Sequence, residues 1–100
     1  MSRMAYVNGE YKRVADASVS IQDRDYQFSD GVYEVTAIVK GVPIDFDLHM
    51  ERLKRSCKEI SIALPMPINA MRIVRRELLR KNRMLGQDAV LYQQITRGVA

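Results

Sequence analysis

The feature that most constrains this fold is a sharp turn that runs directly into an alternating strand. Ser29, Asp30 and Gly31 are residue types that tight turns favour, and we expect Gly31 to adopt a positive φ. Residues 32–39 are rich in β-branched and aromatic types, which is typical of a strand. Alternation then defines two faces, one with Val32, Glu34, Thr36 and Ile38 and the other with Tyr33, Val35, Ala37 and Val39. A tyrosine and a glutamate therefore emerge on opposite faces beside a turn, where folds often present functional groups.

Further strand signals lie on both sides of this segment. Asn8-Gly9 is the strongest two-residue hairpin signal, and Lys40-Gly41 should reverse the chain again. Pro43 places the strand that follows this second turn at an edge or a strand start. Residues 19–25 are expected to be an extended segment followed by a charged loop. Strands are thus predicted at residues 4–7, 10–14, 32–39, 42–46 and 89–96.

Two amphipathic helices are predicted before the last strand. Asp47 is expected to cap the first helix, whose apolar stripe is Leu48, Leu53, Cys57, Ile60 and Leu64. Pro65 and Pro67 end that helix and begin the second, at residues 68–83. The second helix is expected to turn inward Met71, Ile73, Val74, Leu78 and Leu79. This order of elements predicts an α+β fold, an antiparallel sheet with two helices packed on one face.

The composition narrows the possible classes of protein. One hundred residues, 47% of them apolar, make one small domain over residues 1–100, which we expect to be the N-terminal domain of a longer two-domain chain. No apolar run approaches the roughly 20 residues of a membrane span, so no membrane is expected as a partner. A single cysteine, Cys57, rules out an internal disulfide and fits the cytoplasm. One histidine and one cysteine are too few ligands for a metal centre of the zinc type.

The side chains that remain as candidates for chemistry are Tyr33, Glu34, His49, Arg52 and Arg97. His49 and Arg52 are three residues apart on a predicted helix and share a face. Arg52 also borders the buried stripe, from which a guanidinium could reach an anion at the edge of the core. Glu34 is expected at most to pair with a neighbouring arginine, and the roles of His49 and Arg97 stay open. Taken alone, Tyr33 is an ordinary sheet aromatic and Arg52 a solvated helix charge.

Three segments together carry a resemblance to a known family. They are Tyr-Gln-Phe-Ser-Asp-Gly-Val-Tyr-Glu-Val at residues 26–35, Leu-His-Met-Glu-Arg-Leu at 48–53 and Ile-Thr-Arg-Gly at 95–98. In this order and spacing they resemble the N-terminal domain of the class IV, fold-type IV pyridoxal-phosphate aminotransferases. Within that family the first segment is most similar to the D-amino-acid aminotransferases, where glycine commonly takes the place of Ser29. The resemblance covers nearly the whole chain.

The resemblance implies binding roles for two side chains. Tyr33 matches the tyrosine that helps to hold the substrate carboxylate, and Arg52 matches the arginine that binds the phosphate of pyridoxal 5'-phosphate. A guanidinium suits that task because it is permanently charged and can bind an anion through two N–H groups. The implied reaction transfers an amino group from a D-amino acid, D-alanine being expected, to a 2-oxo acid, expected to be 2-oxoglutarate. The family also implies a homodimer.

The chain departs from the family's pattern in two respects. Its lysines, none of which lies in the family's catalytic context, are Lys12, Lys40, Lys54, Lys58 and Lys81. The Arg-x-His pair expected soon after residues 96–98 is also missing. No catalytic residue is therefore assigned, and the chain alone is expected to be inactive, because the Schiff-base lysine and most phosphate contacts belong to the family's C-terminal domain.

Two kinds of alternative stay open. Sister activities of the same class are branched-chain aminotransferase, aminodeoxychorismate lyase and R-selective amine transaminase. The second alternative is a stand-alone module that binds nucleic acid or another polyanion through the basic residues of the second helix, which are Arg72, Arg75, Arg76, Arg80, Lys81 and Arg83. Surfaces that bind nucleic acid usually place aromatic side chains among the basic ones, and residues 72–83 contain no aromatic. No nucleic-acid partner is therefore expected.

Overall fold

A computed structural model describes residues 3–99, and its strands form two antiparallel sheets. The strands are β1 (Met4–Val7), β2 (Glu10–Arg13), β3 (Gly31–Val39), β4 (Val42–Pro43) and β5 (Ala89–Thr96). The helices are α1 (Arg24–Phe28), α2 (Phe46–Glu59) and α3 (Ile68–Lys81), with a 3-10 turn at Val14–Asp16. β1 pairs with β2, and the larger sheet has the spatial order β4-β3-β5. The predicted α+β class is confirmed.

The hairpin predicted at Asn8-Gly9 is confirmed. Both turn residues have positive φ, 50° and 90°, as a two-residue hairpin turn requires. Tyr6 and Tyr11 lie opposite each other on the two strands and their rings meet edge to face at 5.1 Å. The side chain of Asn82, just after α3, donates to the carbonyl oxygen of Met4 and accepts from its backbone N–H, at 3.1 and 2.9 Å. The hairpin is thus attached to the end of α3.

β3 shows the alternation that its sequence predicts. Glu34, Thr36 and Ile38 are buried, whereas Tyr33 and Val35 are exposed. The strand pairs with β5 over most of its length, from Gly31 opposite Thr96 to Ile38 opposite Ala89. β4 pairs with β3 only at its end, so within residues 3–99 no strand lies beside the first residues of β3 on that edge. The alternation of burial in β3 and β5 gives the sheet one buried face and one open face.

The buried face of the sheet is covered by both long helices, as predicted. The core cluster contains Phe46, Met50 and Leu53 from α2 and Met71 from α3. Partly buried apolar side chains that pack against this cluster are Val32, Leu64, Met66, Ile68, Leu91 and Ile95. Residues from both helices and from β3 and β5 therefore meet in one core, which holds the helices on the same side of the sheet.

The apolar stripe of each helix differs in part from the prediction. Leu48 and Ile73, which we expected to face inward, are both 69% exposed. The buried residues of α2 are Phe46, Met50, Leu53 and Cys57, at helical spacings of four, three and four. Leu48 is two residues from Phe46, about 200° around the helix, so both side chains cannot face the core.

The start of α2 also differs from the prediction. The return strand expected at residues 42–46 is limited to Val42–Pro43, although the backbone N–H of Ile44 still donates to the carbonyl oxygen of Ala37 at 2.8 Å. Asp45 then takes a left-handed conformation with φ 53° and becomes the N-cap residue, without a side-chain capping bond. Asp47 lies in the first turn of α2 and forms an ion pair with Arg72 of α3. The predicted cap residue therefore links the two helices.

The segment before β3 contains a helix that the sequence did not predict. Residues 19–25 were expected to be extended and then a loop, but α1 begins at Arg24, within that range. Asp23 caps this helix, because its side chain accepts a 2.9 Å hydrogen bond from the backbone N–H of Asp25. A short capped helix therefore leads into the turn.

Ser29, rather than Gly31, has the positive φ in this turn. Ser29 ends α1 at φ 55°, and Gly31 is absent from the positive-φ residues of the described chain. A Cβ on Gly31 would lie 2.6 Å from the carboxyl group of Asp25 in α1 and 2.8 Å from the carbonyl oxygen of Ile95 in the paired strand. The glycine is thus required by the close packing of β3 against both α1 and β5.

Candidate functional site

Arg52, the predicted phosphate-binding residue, lies on α2 and pairs with Glu34 of β3. Its Nε donates to Oε2 of Glu34 at 2.7 Å, and its Nη2 donates to Oε1 at 2.8 Å. Two parallel N–H···O bonds of this length form the bidentate geometry that arginine and carboxylate prefer. The anion that Arg52 meets at the edge of the core is thus this glutamate.

His49 makes the third hydrogen bond to the same carboxylate. Its Nδ1 lies 2.7 Å from Oε1 of Glu34. An ionised carboxylate only accepts, so Nδ1 carries the proton and donates. The shared helix face predicted for His49 and Arg52 is confirmed, since both side chains point at one residue of β3. The side chain of Glu34 is 4% exposed and that of Arg52 is 58% exposed, so the site links the core to the surface.

The pairing shifts the pKa values of both Glu34 and Arg52. The hydrogen bond from Arg52 lowers the pKa of Glu34, which burial opposes and the bond from His49 reinforces. The same hydrogen bond raises the pKa of Arg52, with a small contribution from nearby Tyr33. Both groups are therefore ionised near neutral pH.

We expect Glu34 to make the fold sensitive to acid. Its folded pKa lies below its ordinary value of 4.5, so its stabilising contribution is complete above that pH and is lost as the pH falls further. The free energy of unfolding, measured by urea titration between pH 7 and pH 3, should therefore fall less steeply in Glu34→Gln than in the unchanged protein. Glu51→Gln, at an exposed position of α2, is the control and should retain the steep fall. Equal slopes for all three proteins would contradict this expectation.

Tyr33, the predicted substrate-binding residue, lies on the open face of the sheet. Its ring is 64% exposed and stacks on Tyr92 of β5 with centroids 5.8 Å apart. Tyr33 and Glu34 are adjacent in β3 and point to opposite faces, so the structure does not place Tyr33 inside the Arg52 cluster. Both Tyr33 and Arg52 are exposed to solvent, at 64% and 58%.

Arg97, whose role the sequence left open, makes structural contacts. It binds the carboxylate of Asp30 through Nε at 2.6 Å and Nη2 at 3.1 Å, and donates to the carbonyl oxygens of Ile60 and Ser61. Its hydrogen bond to Asp30 lowers the pKa of that carboxyl, and Arg24 reinforces the shift. Arg97 therefore joins the end of β5 to the turn before β3 and to the end of α2.

Sequence reasoning did not assign Tyr92 to the site, and it expected of Glu34 only a pairing with a neighbouring arginine. A signal for Glu34 was available: it shares its strand face with Thr36 and Ile38, and a carboxylate on a buried face needs a charged partner. Tyr92 had no comparable signal, because its stacking on Tyr33 depends on the register of β3 with β5. The alternation of β3 predicted the facing direction of Glu34, and only the structure identified both of its partners.

Within residues 3–99, no group of three or more histidine, cysteine or acidic side chains is arranged to hold a metal ion. None of the helices in this range has the length and apolar character needed to cross a membrane.

Comparison with known proteins identifies the family of this chain. Residues 31–100 match the profile of the family described as amino-transferase class IV. The D-alanine aminotransferase of Bacillus licheniformis is 40% identical to this chain over 93 residues, which are 93% of the chain and 32% of that protein. The D-alanine aminotransferase of Staphylococcus haemolyticus is 39% identical over 95 residues, 95% of the chain and 33% of that protein. The chain thus spans about a third of the length of these relatives.

Solved structures of aminotransferases share the fold. The branched-chain amino acid aminotransferase from Escherichia coli superposes with a TM-score of 0.88 over 98% of this chain and 34% of its own, at 24% identity. A fold IV transaminase from Curtobacterium pusillum gives a TM-score of 0.76 over 90% of this chain and 32% of its own, at 24% identity. A hypothetical aminotransferase from Mycobacterium tuberculosis in its PLP-bound form gives 0.78 over 93% of this chain and 33% of its own, at 20% identity. At these identities the likeness concerns the fold, and it agrees with the predicted N-terminal domain of the fold-type IV aminotransferases.

Proposed function

Since this chain belongs to the class IV aminotransferase family, we propose that it is part of a pyridoxal-phosphate-dependent transaminase acting on D-amino acids. The amino donor is D-alanine and the acceptor is a 2-oxo acid, 2-oxoglutarate being our choice. The observation that carries this proposal is the 40% identity to a D-alanine aminotransferase over 93% of the chain. The branched-chain enzyme from Escherichia coli shares the fold at 24% identity, which favours the D-alanine activity over the branched-chain alternative.

The residues present fit a role in holding the cofactor phosphate. The guanidinium of Arg52 extends from the middle of α2 and is exposed, and its Nη1 has no hydrogen-bond partner among the described residues. Guanidinium N–H groups are good donors to phosphate oxygens. The Arg52–Glu34 pair is formally neutral, so this donor attracts phosphate through directed hydrogen bonds more than through net charge. Arg52 is therefore proposed as one phosphate contact among several.

Tyr33 is proposed to help hold the substrate carboxylate. Its ring is exposed and is held in place by stacking on Tyr92, so its hydroxyl is available as a donor. Pyridoxal phosphate, when bound, supplies the electron sink that makes transamination possible. The contribution of this chain is to bind and orient, with Arg52 near the phosphate and Tyr33 near the substrate.

The reactive lysine is proposed to come from a part of the enzyme outside this chain. Lys12 lies 3.5 Å from Glu10 and Lys81 lies 4.0 Å from Glu77, each in an ion pair. Lys40, Lys54 and Lys58 are exposed to solvent. A lysine that attacks a carbonyl group needs a lowered pKa, which burial or a neighbouring cation provides. The chain by itself is accordingly proposed to be inactive.

The whole enzyme is proposed to be a cytoplasmic homodimer whose subunits have two domains, of which this chain is the first. The open face of the sheet supports this organisation, because it exposes apolar side chains that include Tyr33, Val35, Val39, Val90 and Tyr92. Contiguous apolar surface of this kind is typical of faces that another domain or subunit covers. The single buried thiol of Cys57 fits a reducing compartment.

The alternative of a stand-alone polyanion-binding module is less well supported by the basic helix. Arg72 is paired with Asp47 and lies over the ring of Phe46, which Arg75 also covers at 4.5 Å. Arg80 and Lys81 are both within ion-pair distance of Glu77. Many of the basic side chains are thus engaged in contacts within the fold, so we assign no nucleic-acid partner.

The proposal is tested on the native gene product that carries this chain, purified from its own cell. We expect the visible absorbance of bound pyridoxal phosphate, and transfer of the amino group from D-alanine to 2-oxoglutarate with production of D-glutamate. L-alanine and L-leucine serve as control donors and should react far more slowly. A colourless product with no transamination, or one that prefers L-leucine, would contradict the proposed activity.

A further inference from the structure

The carboxylate of Glu34 is held rigidly in the structure. The strand that carries it pairs with β5, and Glu34 itself lies opposite Gln93. Its side chain is 4% exposed, and both of its oxygens accept hydrogen bonds, one from Arg52 alone and the other from Arg52 and His49. A buried carboxylate fixed in this way offers one defined orientation to any partner that binds it.

Arg52 is a flexible side chain that this carboxylate holds on one side only. An arginine that is 58% exposed normally samples many rotamers. Glu34 occupies Nε and Nη2, which lie along one edge of the guanidinium. Because the group is planar, fixing this edge also fixes the direction of the N–H bonds of Nη1. Those remaining donors are therefore presented in one orientation at the surface.

Desolvation removes part of the stability that the Arg52–Glu34 pair contributes. Burial of a carboxylate costs desolvation free energy, which its hydrogen bonds and the attraction to Arg52 must first offset. The arginine is largely solvated, which weakens that attraction further. Besides stability, the pair provides a fixed orientation of the Arg52 guanidinium.

We propose that Glu34 is a positioning residue, which holds Arg52 so that Nη1 binds the phosphate of pyridoxal phosphate. This inference rests on the proposed function. A guanidinium that is already ordered loses less conformational entropy when it binds the phosphate. Disordering Arg52 should therefore weaken the binding of pyridoxal phosphate more than that of a ligand without the phosphate. His49 reinforces the same carboxylate but forms no hydrogen bond with Arg52 in the described part of the chain, so its removal should have the smaller effect.

The test compares pyridoxal phosphate with pyridoxal, which lacks the phosphate, as ligands of the native gene product freed of cofactor. Dissociation constants are measured by fluorescence titration. We expect Arg52→Ala to weaken binding of pyridoxal phosphate about 30-fold, and Glu34→Gln about fivefold. Neither variant should change the affinity for pyridoxal by more than about twofold. In the Arg52→Ala background, Glu34→Gln should have no further effect, because the group that it positions is gone.

Arg55→Ala is the matched control, since it removes the same charge from an exposed position of α2 and should leave both affinities unchanged. If Glu34→Gln does not fold, Glu34→Asp keeps the charge, cannot reach both nitrogens in the same way, and should give the same selective weakening to a smaller extent.

Three results would overturn the inference. The first is that Glu34→Gln leaves the affinity for pyridoxal phosphate unchanged although Arg52→Ala weakens it. The second is equal weakening for pyridoxal phosphate and pyridoxal, which would indicate a general structural role. The third is that Arg52→Ala changes the affinities for pyridoxal phosphate and pyridoxal equally, which would show that Arg52 does not bind the phosphate. The transamination assay is independent of these results, so a failure of the proposed function is recognised separately.

Discussion

Replacing Leu53 with alanine is expected to lower the free energy of unfolding by about 3 kcal/mol. Leu53 is 1% exposed and belongs to the core cluster in which α2, α3 and the sheet meet. The substitution removes apolar contacts and leaves a cavity that neighbouring helices cannot fully close. Urea denaturation monitored by circular dichroism would measure the change, and an unaltered unfolding midpoint would contradict the core assignment.

The same helix offers a matched control for this change. Leu48→Ala removes the same atoms from a side chain that is 69% exposed. We expect a change within about 0.5 kcal/mol, as for most surface substitutions. The two variants also distinguish the observed stripe from the predicted one, in which both leucines faced the core. Comparable destabilisation by both would support the predicted stripe over the observed one.

Replacing Gly41 with alanine is the second change with a large expected effect. Gly41 has φ +81°, and a Cβ at this position would lie 2.7 Å from the backbone nitrogen of Gly86 and 2.8 Å from its Cα. A left-handed conformation costs an L-residue about 1–2 kcal/mol, and forcing two backbone segments apart costs about 1–3 kcal/mol more. We expect a total loss of about 3 kcal/mol in the free energy of unfolding, measured by urea denaturation.

Gly9→Ala separates the two contributions. Gly9 also has a positive φ, +90°, but the structure places no atom of a non-adjacent described residue within 4 Å of the position that a Cβ would take. Its substitution should therefore cost about 1 kcal/mol, from the backbone conformation alone. If Gly41→Ala costs no more than Gly9→Ala, the close approach between Gly41 and Gly86 does not restrict the fold.

The elements that sequence predicted well are those set by neighbouring residues. The hairpin at Asn8-Gly9 needs two positive φ angles, and asparagine and glycine tolerate them best. The strand at Ala89–Thr96 was predicted at its observed bounds, and the two faces of β3 follow from strict alternation. In each case a few neighbouring residues determine the local structure, so it can be predicted without knowledge of the rest of the chain.

The candidate site was predicted only in part. The shared helix face of His49 and Arg52 followed from their spacing, and a pairing of Glu34 with an arginine was anticipated. The roles of Arg52 in phosphate binding and Tyr33 in substrate binding came from family resemblance and stay predictions. The structure added that Arg52 binds Glu34 through two hydrogen bonds and that Tyr33 stacks on Tyr92.

The sequence by itself determined the alternating faces of β3, the hairpin, the two long helices and the family. Tertiary structure alone decided that the buried stripe of α2 excludes Leu48, why Gly31 must lack a side chain, and which partners Glu34 receives. Local patterns reflect backbone preferences and periodicity, which act between close neighbours in the chain. The contacts between Glu34 and Arg52 or between Gly31 and Ile95 depend on how α2 crosses the sheet and how β5 aligns with β3. Those arrangements are set by packing of the whole core, so a local pattern does not contain them.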